Sequence, residues 1–242
     1  MVVTQRGPAN ESTATDGPAV ELKDVIRIYR EGNVETRALR GVDLSVASGD
    51  YVALMGRSGS GKSTLLHLIA GMDRPTGGRV IVDGVDLSLV DETRRDTIRG
   101  ARVGLIFQRE NLPDFLNLEE SVVLACAFAG RAVDVRTARE VLSRVGLAGR
   151  LRHRPRQLSG GEQQRAAVAM ILATRPRILL ADEITGELDS ANADGLLDLL
   201  ADMHEREKLT IIAATHDRRV AVRAKRVVEL RDGRVVDERA AQ

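Results

Sequence analysis

The strongest constraint on what this chain can fold into is a run of glycines held between two apolar segments. Tyr51–Met55 reads as a short apolar strand, Gly56-Arg57-Ser58-Gly59-Ser60-Gly61-Lys62-Ser63-Thr64 follows, and Lys62–Ala70 carries the apolar spacing of a helix. Residues 56–63 fit G-x-x-x-x-G-K-[ST], and the flanking strand and helix supply the context that pattern needs. Glycines let successive backbone N–H groups curl inward around phosphate oxygens, which side chains at those positions would obstruct. The helix opening after Gly61 adds the positive end of its dipole. Lys62 would reach the β and γ phosphates of a nucleotide, and Ser63 would offer a hydroxyl to Mg²⁺. Lysine occurs only at Lys23, Lys62, Lys208 and Lys225, nearly every other cation being arginine, so a chance lysine at this spot is a poor alternative.

Strand and helix patterns alternate along the rest of the chain. Val20–Tyr29 and Leu39–Val46 read as strands with an excursion at Glu31–Thr36, Arg79–Val82 and Arg102–Phe107 as strands around a charged helix near Asp91–Arg99. Residues 118–145 turn helical with a break at Gly130–Asp134, and Gly161–Ala173 and Ser190–Glu207 are further helices. Ile178–Ala181 and Thr210–Ala214 are continuous apolar strands, and Val227–Leu230 with Arg234–Val236 form a hairpin about Asp232-Gly233. Alternation of this kind predicts an α/β fold with a mostly parallel sheet covered on both faces, antiparallel strands at 20–46, and a helical subdomain at about 109–160 inserted into the core.

Length and composition narrow the rest. A chain of 242 residues can bury one substantial core. Its net charge of +1 predicts no general pull towards nucleic acid or anionic lipid. The single cysteine, Cys126, excludes an intrachain disulfide and reads as a small core residue. Residues 1–18 are polar, with Pro, Gly, Ser and Thr, and read as a disordered tail before a domain at 19–242. The longest apolar runs fall short of the ~20 residues that span a bilayer, so a cytoplasmic chain is expected, with any membrane role passing through a partner.

Ile178-Leu179-Leu180-Ala181 ends in Asp182-Glu183. Paired acids at the edge of a buried strand are costly unless a cation is close. Asp182 would hold Mg²⁺ and Glu183 would polarise an attacking water; without the glycine loop, a helix cap would be a fair alternative.

Leu158-Ser159-Gly160-Gly161-Glu162-Gln163-Gln164-Arg165, taken alone, is a helix capped by Ser159. In the order glycine loop, this octet, carboxylate strand, it matches the signature L-S-G-G-E/Q-x-Q-R, and the chain resembles ABC ATPase subunits over Val20–Asp237. The branch it is most similar to serves lipoprotein release, macrolide export and cell-division complexes, on the stretches Tyr29–Val34, Ala38–Val42, Gly71–Gly78 and His153–Pro155. The resemblance implies a P-loop NTPase (RecA-like) core with ATP and Mg²⁺. It places Tyr29 on the adenine, where the bland alternative is an aromatic at a strand end. Gln108 becomes a Mg²⁺ ligand, Asp189 an interface acid, and His216 a contact to the γ-phosphate. It also implies that Ser159, Gly160, Gly161 and Glu162 complete the ATP site of a second subunit, most simply in a homodimer, with integral membrane permease subunits as further partners. The chain would then lie on the inner face of the membrane. Direct nucleic-acid binding is not expected, and Arg150–Arg156, with four Arg and one His, reads as a solvated linker.

Three positions depart from the branch pattern: Ile184 stands in place of a proline, Glu187 in place of Asn or Ala, and Ala169–Leu172 lacks an arginine. No primary catalytic group is lost, but slow or partner-dependent hydrolysis is expected. Export or lipoprotein release is the leading function, and mechanotransmission through a membrane partner is the rival. The interval 64–157 lacks the coiled-coil or zinc insertion of chromosome ATPases.

Overall fold

The computed structural model describes residues 17–107, 112–186 and 188–241. Most of the tail expected at 1–18, together with Gln108 and Glu187, lies outside the described residues.

Two sheets carry the fold. The central one runs β10(Arg234–Ala240)-β9(Arg226–Arg231)-β3(Tyr51–Met55)-β8(Thr210–Thr215)-β7(Ile178–Asp182)-β6(Val103–Ile106). Its strands are parallel apart from β10, which pairs antiparallel with β9. Strand alternation divides the side chains between two cores. Tyr51, Ala53, Leu179, Ala181, Ile211 and Ala213 point to one, while Val52, Leu54, Ile178, Leu180, Ile212 and Ala214 point to the other. Both faces are dry, which is why these strands read as unbroken apolar runs.

The second sheet is antiparallel, in the order β2(Val34–Val46)-β1(Val20–Glu31)-β4(Gly77–Val82)-β5(Val85–Asp86). It encloses the second core together with α1(Lys62–Ile69) and α2(Glu92–Arg102). The expected excursion at Glu31–Thr36 is absent: Glu31 pairs with Val34 across Gly32-Asn33, with Gly32 at φ 57. A two-residue turn needs positive φ, and Gly-Asn supplies it.

α3(Leu118–Phe128), α4(Val135–Arg144) and two single 3₁₀ turns occupy the interval between β6 and β7, ahead of α5(Gly160–Ala173). With α6(Ser190–Glu207) they line the first core. Asn117 and Ser159 begin α3 and α5 with reciprocal capping boxes. Ile171 of α5 lies over Gly104, where an added Cβ would come within 2.2 Å of it. α7(Arg218–Arg223), short and basic, gave no periodic signal in the sequence.

Candidate functional site

Three strand ends and one helix start meet at the C-terminal edge of β3, β7 and β8. The loop Gly56–Gly61 leaves β3 and must pass close under the terminal hairpin. A Cβ on Gly56 would lie 2.4 Å from the Leu230 carbonyl oxygen, and one on Gly61 (φ 106) would lie 2.6 Å from that of Ala38. Backbone bonds fasten the turn: Ser60 N–H donates to Arg57 O at 3.1 Å and Gly233 N–H to Ser60 O at 3.0 Å. Arg57, Ser58 and Gly59 are exposed, while Ser60 is buried with its hydroxyl unpartnered. α1 begins at Gly61 without a side-chain cap, so no side chain satisfies its leading N–H groups. Ser63 and Thr64 stand in that first turn, Ser63 exposed and Thr64 half-buried.

Lys62 is buried and turns back over the loop. Its Nζ donates to Gly56 O at 2.8 Å and Arg57 O at 3.2 Å, and lies 3.5 Å from Glu183 Oε1. The other oxygen of Glu183, Oε2, is 2.9 Å from His216 Nδ1 and accepts from Thr215 Oγ1 at 3.4 Å. Glu183 therefore links the phosphate loop to the residue after β8, although 121 positions separate it from Lys62. Its backbone is left-handed, φ 50, a costly conformation for a residue with a Cβ. Glu183 N–H bonds Ala214 O at 2.9 Å, and Gly186 N–H closes a turn on Glu183 O at 3.0 Å. Ile184, next in line, is 4% exposed in the first core, so apolar packing anchors this turn where a proline ring was expected.

Asp182 ends β7, and its buried Oδ1 has no hydrogen-bond partner. A buried carboxylate oxygen without a donor is a costly arrangement that a cation relieves. Among the described residues no group of three or more His, Cys, Asp and Glu could hold a metal on its own. One carboxylate with a serine hydroxyl suits Mg²⁺, which binds few protein oxygens beside substrate phosphates. The donor set of Asp182 and Ser63 fits that ion. A cavity of about 500 Å³ opens beside the loop, touching Gly56, Arg57, His216, Arg218 and Arg239.

Several residues of this cluster escaped the sequence reading. Thr215 also accepts Asp217 N–H at 2.9 Å. Asp217 receives Thr185 Oγ1 at 3.1 Å and Arg219, whose hydrogen bonds hold its carboxyl below the usual range. A polar residue ending an apolar strand was the available signal for Thr215, the same signal that marked Asp182.

The signature residues form their own network of bonds. Ser159 Oγ accepts Glu162 N–H at 3.3 Å, and Glu162 Oε2 accepts Ser159 N–H at 2.8 Å. Arg150 Nε donates to Glu162 Oε1 at 2.9 Å, and mainly through that bond the Glu162 carboxyl is lowered to about 2. Gly161 is needed locally, because a Cβ there would meet Asn192 at 2.9 Å, whereas Gly160 has nothing within 4 Å. Asn192, also unforeseen, bonds Arg165 of α5 at 3.2 Å and Asp189 Oδ2 at 2.6 Å. Asp189 caps α6 through Asn192 N–H, and these bonds hold its carboxyl below the ordinary value. Among the described residues no hydrogen bond or ion pair joins Ser159–Glu162 to Gly56–Thr64. Tyr29 stands on β1, its hydroxyl bonded to Asp73 at 2.9 Å.

Comparison with known proteins bears on the family and the fold. The family model described as "ABC transporter" matches residues 39–186. The lipoprotein-releasing system ATP-binding protein LolD of Anaeromyxobacter dehalogenans is 47% identical over 90% of this chain and 93% of its own length. The macrolide export ATP-binding/permease protein MacB of Hyphomonas neptunium is 46% identical over 91% of this chain, which spans only 34% of that protein. Among solved structures, the ATP-binding cassette MJ0796 in a dimeric post-hydrolysis state with ADP and Pi is 37% identical. It superposes with a TM-score of 0.86, covering 92% of this chain and 99% of that one.

Proposed function

The chain belongs to the ABC transporter family, and we propose that Glu183, bridging Lys62 and His216, is the group through which it hydrolyses ATP. It is an ATP-binding, ATP-hydrolysing subunit of the export or lipoprotein-release type. The supporting observation is the pair of contacts at 3.5 and 2.9 Å that join one carboxylate to the phosphate loop and to the end of β8.

In this reading the backbone N–H groups of Gly56–Thr64 and the start of α1 cradle the phosphates, and Lys62 turns from Glu183 to phosphate oxygens. Glu183 is then free to accept a proton from an attacking water, oriented by Thr215 and His216, while His216 faces the γ-phosphate. Asp182 and Ser63 would hold Mg²⁺, with Gln108 a further ligand. When bound there, Mg²⁺ would supply positive charge that offsets the charge developing on the phosphates. Tyr29 stacks on the adenine. Ser159, Gly160, Gly161 and Glu162 face the ATP of a second copy, with Asp189 at the same interface, in a homodimer.

The permease is the other partner, and it holds the chain at the inner face of the membrane. Among the described residues no helix is long and apolar enough to cross one. Of three phenylalanines in the chain, Phe115 and Phe128 are 71% and 80% exposed around the helical unit expected at about 109–160, and Phe115 borders a cleft with Asp114, Arg154 and Arg156. Aromatic side chains left in water beside a polar rim favour a protein contact there.

Purified Glu183→Gln tests the reading. It should bind ATP with Mg²⁺ while turnover falls by roughly 10²- to 10⁴-fold, accumulate as an ATP-bound dimer, and co-isolate a membrane protein. Turnover at the wild-type rate would remove Glu183 from the chemistry. A variant that stays monomeric with ATP and retains no membrane protein would overturn the transporter assignment.

A further inference from the structure

Three side chains, Arg27, Tyr29 and Asp73, meet between β1 and the loop after α1. Arg27 and Tyr29 are two apart on β1 and share a face of the strand. The Arg27 guanidinium carbon lies 4.3 Å from the centroid of the Tyr29 ring, stacked over one of its faces. Arg27 Nε donates to Asp73 Oδ2 at 2.8 Å, and Tyr29 Oη donates to that same oxygen at 2.9 Å. The Arg27 and Asp73 side chains are only 22% and 25% exposed, so the pair is held well out of water.

Asp73 is itself fixed. Its Oδ1 accepts Arg74 N–H at 2.7 Å. The loop that carries it is zipped to β1 by Thr76 N–H to Ile26 O at 2.8 Å and Ile28 N–H to Thr76 Oγ1 at 3.0 Å. The loop follows directly on α1, the helix that Lys62 begins. Eight residues of helix are ~12 Å long, so the anchor of Tyr29 and the phosphate loop lie at opposite ends of one short rigid rod.

We infer that Arg27 and Asp73 are positioning residues for the nucleotide base: together they lock the Tyr29 ring in one orientation, with a guanidinium behind it, so that a purine can stack only on the opposite face. This rests on the reading of Tyr29 as the base-stacking residue. A hydroxyl bonded to a carboxylate removes the rotational freedom that stacking would otherwise have to freeze. The covered face prevents a base from binding in the reverse position. The delocalised, planar guanidinium matters as well as the charge, because an ammonium cannot both stack and reach Asp73 with a fixed donor.

The chain has no tryptophan and two tyrosines, so Tyr51→Phe leaves Tyr29 as its one fluorophore of this kind. In that background, ATP titration should quench Tyr29 emission, and inorganic tripolyphosphate, which has no base, should not. Arg27→Ala and Asp73→Asn should each weaken ATP by about 3- to 10-fold while tripolyphosphate binding, followed by calorimetry, stays unchanged. Arg27→Lys should recover only part of the loss. Tyr29→Ala should cost about 10- to 100-fold in ATP affinity, and Arg27→Ala added to it should cost nothing more.

Equal losses for ATP and tripolyphosphate in Arg27→Ala would reduce the pair to a structural support and overturn the inference. So would full recovery by Arg27→Lys, or a loss that persists in the Tyr29→Ala background. Tyr29→Ala with unaltered ATP affinity would instead remove the stacking role of Tyr29, and the inference would fall with it. Retained tripolyphosphate binding separates the other results from misfolding, and an unchanged melting temperature does so where both affinities fall.

Discussion

Tyr51 opens β3 with its ring fully buried and its hydroxyl without a partner, edge-on to His204 at 5.7 Å between centroids. Burial pushes its pKa up to about 12, against a smaller opposing pull from the charge of Arg223. An unpaired buried hydroxyl costs about 1–3 kcal/mol, and phenylalanine keeps the ring while deleting the oxygen. Tyr51→Phe should therefore raise the free energy of unfolding by about 1 kcal/mol, visible as a later urea midpoint at constant slope. An earlier midpoint would show that the oxygen has a stabilising partner. The sequence marks Tyr51 only as the start of a strand, because nothing in a sequence says whether a buried hydroxyl finds an acceptor. Lys62, Asp182 and Glu183 stand out in the sequence for the opposite reason: a charge at the end of an apolar strand, or behind glycines, is anomalous wherever the chain goes, whereas His216 is singled out only by the family resemblance. Thr215 and Asn192 are ordinary residue types, and their contacts to Glu183, Asp189 and Arg165 exist only once distant elements pack.

At the scale of elements, apolar runs located the central strands because both faces of the sheet are dry, helical spacing located α3, and the Ser159 cap located the start of α5. What was missed had weak periodicity: the hairpin joining β1 to β2, and the one and a half turns of α7. α5 is the element whose start matters most, since its first turn carries the signature. Arg150 reaches across to Glu162, which is thereby lowered from 4.5 to about 2. A depressed carboxyl contributes stability that is complete above its unfolded value and is lost as pH falls through the folded one. The window here runs from about 4.5 down to about 2. Arg150→Ala removes the largest cause of the shift. The stability gap between the chain and this variant should be widest near neutral pH and narrow on going to pH ~3, as read from urea midpoints at both. A gap independent of pH would mean that Arg150 supports the helix by packing and not through the Glu162 charge.

For the whole molecule, the proposed dimer would divide the two glycines that open α5 between folding and assembly. Gly161 is required by this chain's own packing, because Asn192 would stand 2.9 Å from its Cβ. Gly160 is exposed, free of positive φ, and has nothing within 4 Å. Alanine is the better helix former by up to about 1 kcal/mol, so the fold alone gives no reason for glycine at 160. A surface that must come against phosphate oxygens of a second copy does give one, since N–H groups at a helix start bind an anion closely only when no side chain intervenes. Gly160→Ala should thus leave the melting temperature unchanged or slightly raised, and single-chain ATP affinity unchanged. It should weaken ATP-driven dimerisation of Glu183→Gln by about 10-fold or more, measured by sedimentation velocity over a concentration series. Gly161→Ala should show the other pattern, a lower melting temperature before any effect on assembly is reached. Undiminished dimers from Gly160→Ala would mean that the signature turn does not meet nucleotide across the interface, and the site would then have to be complete within one chain.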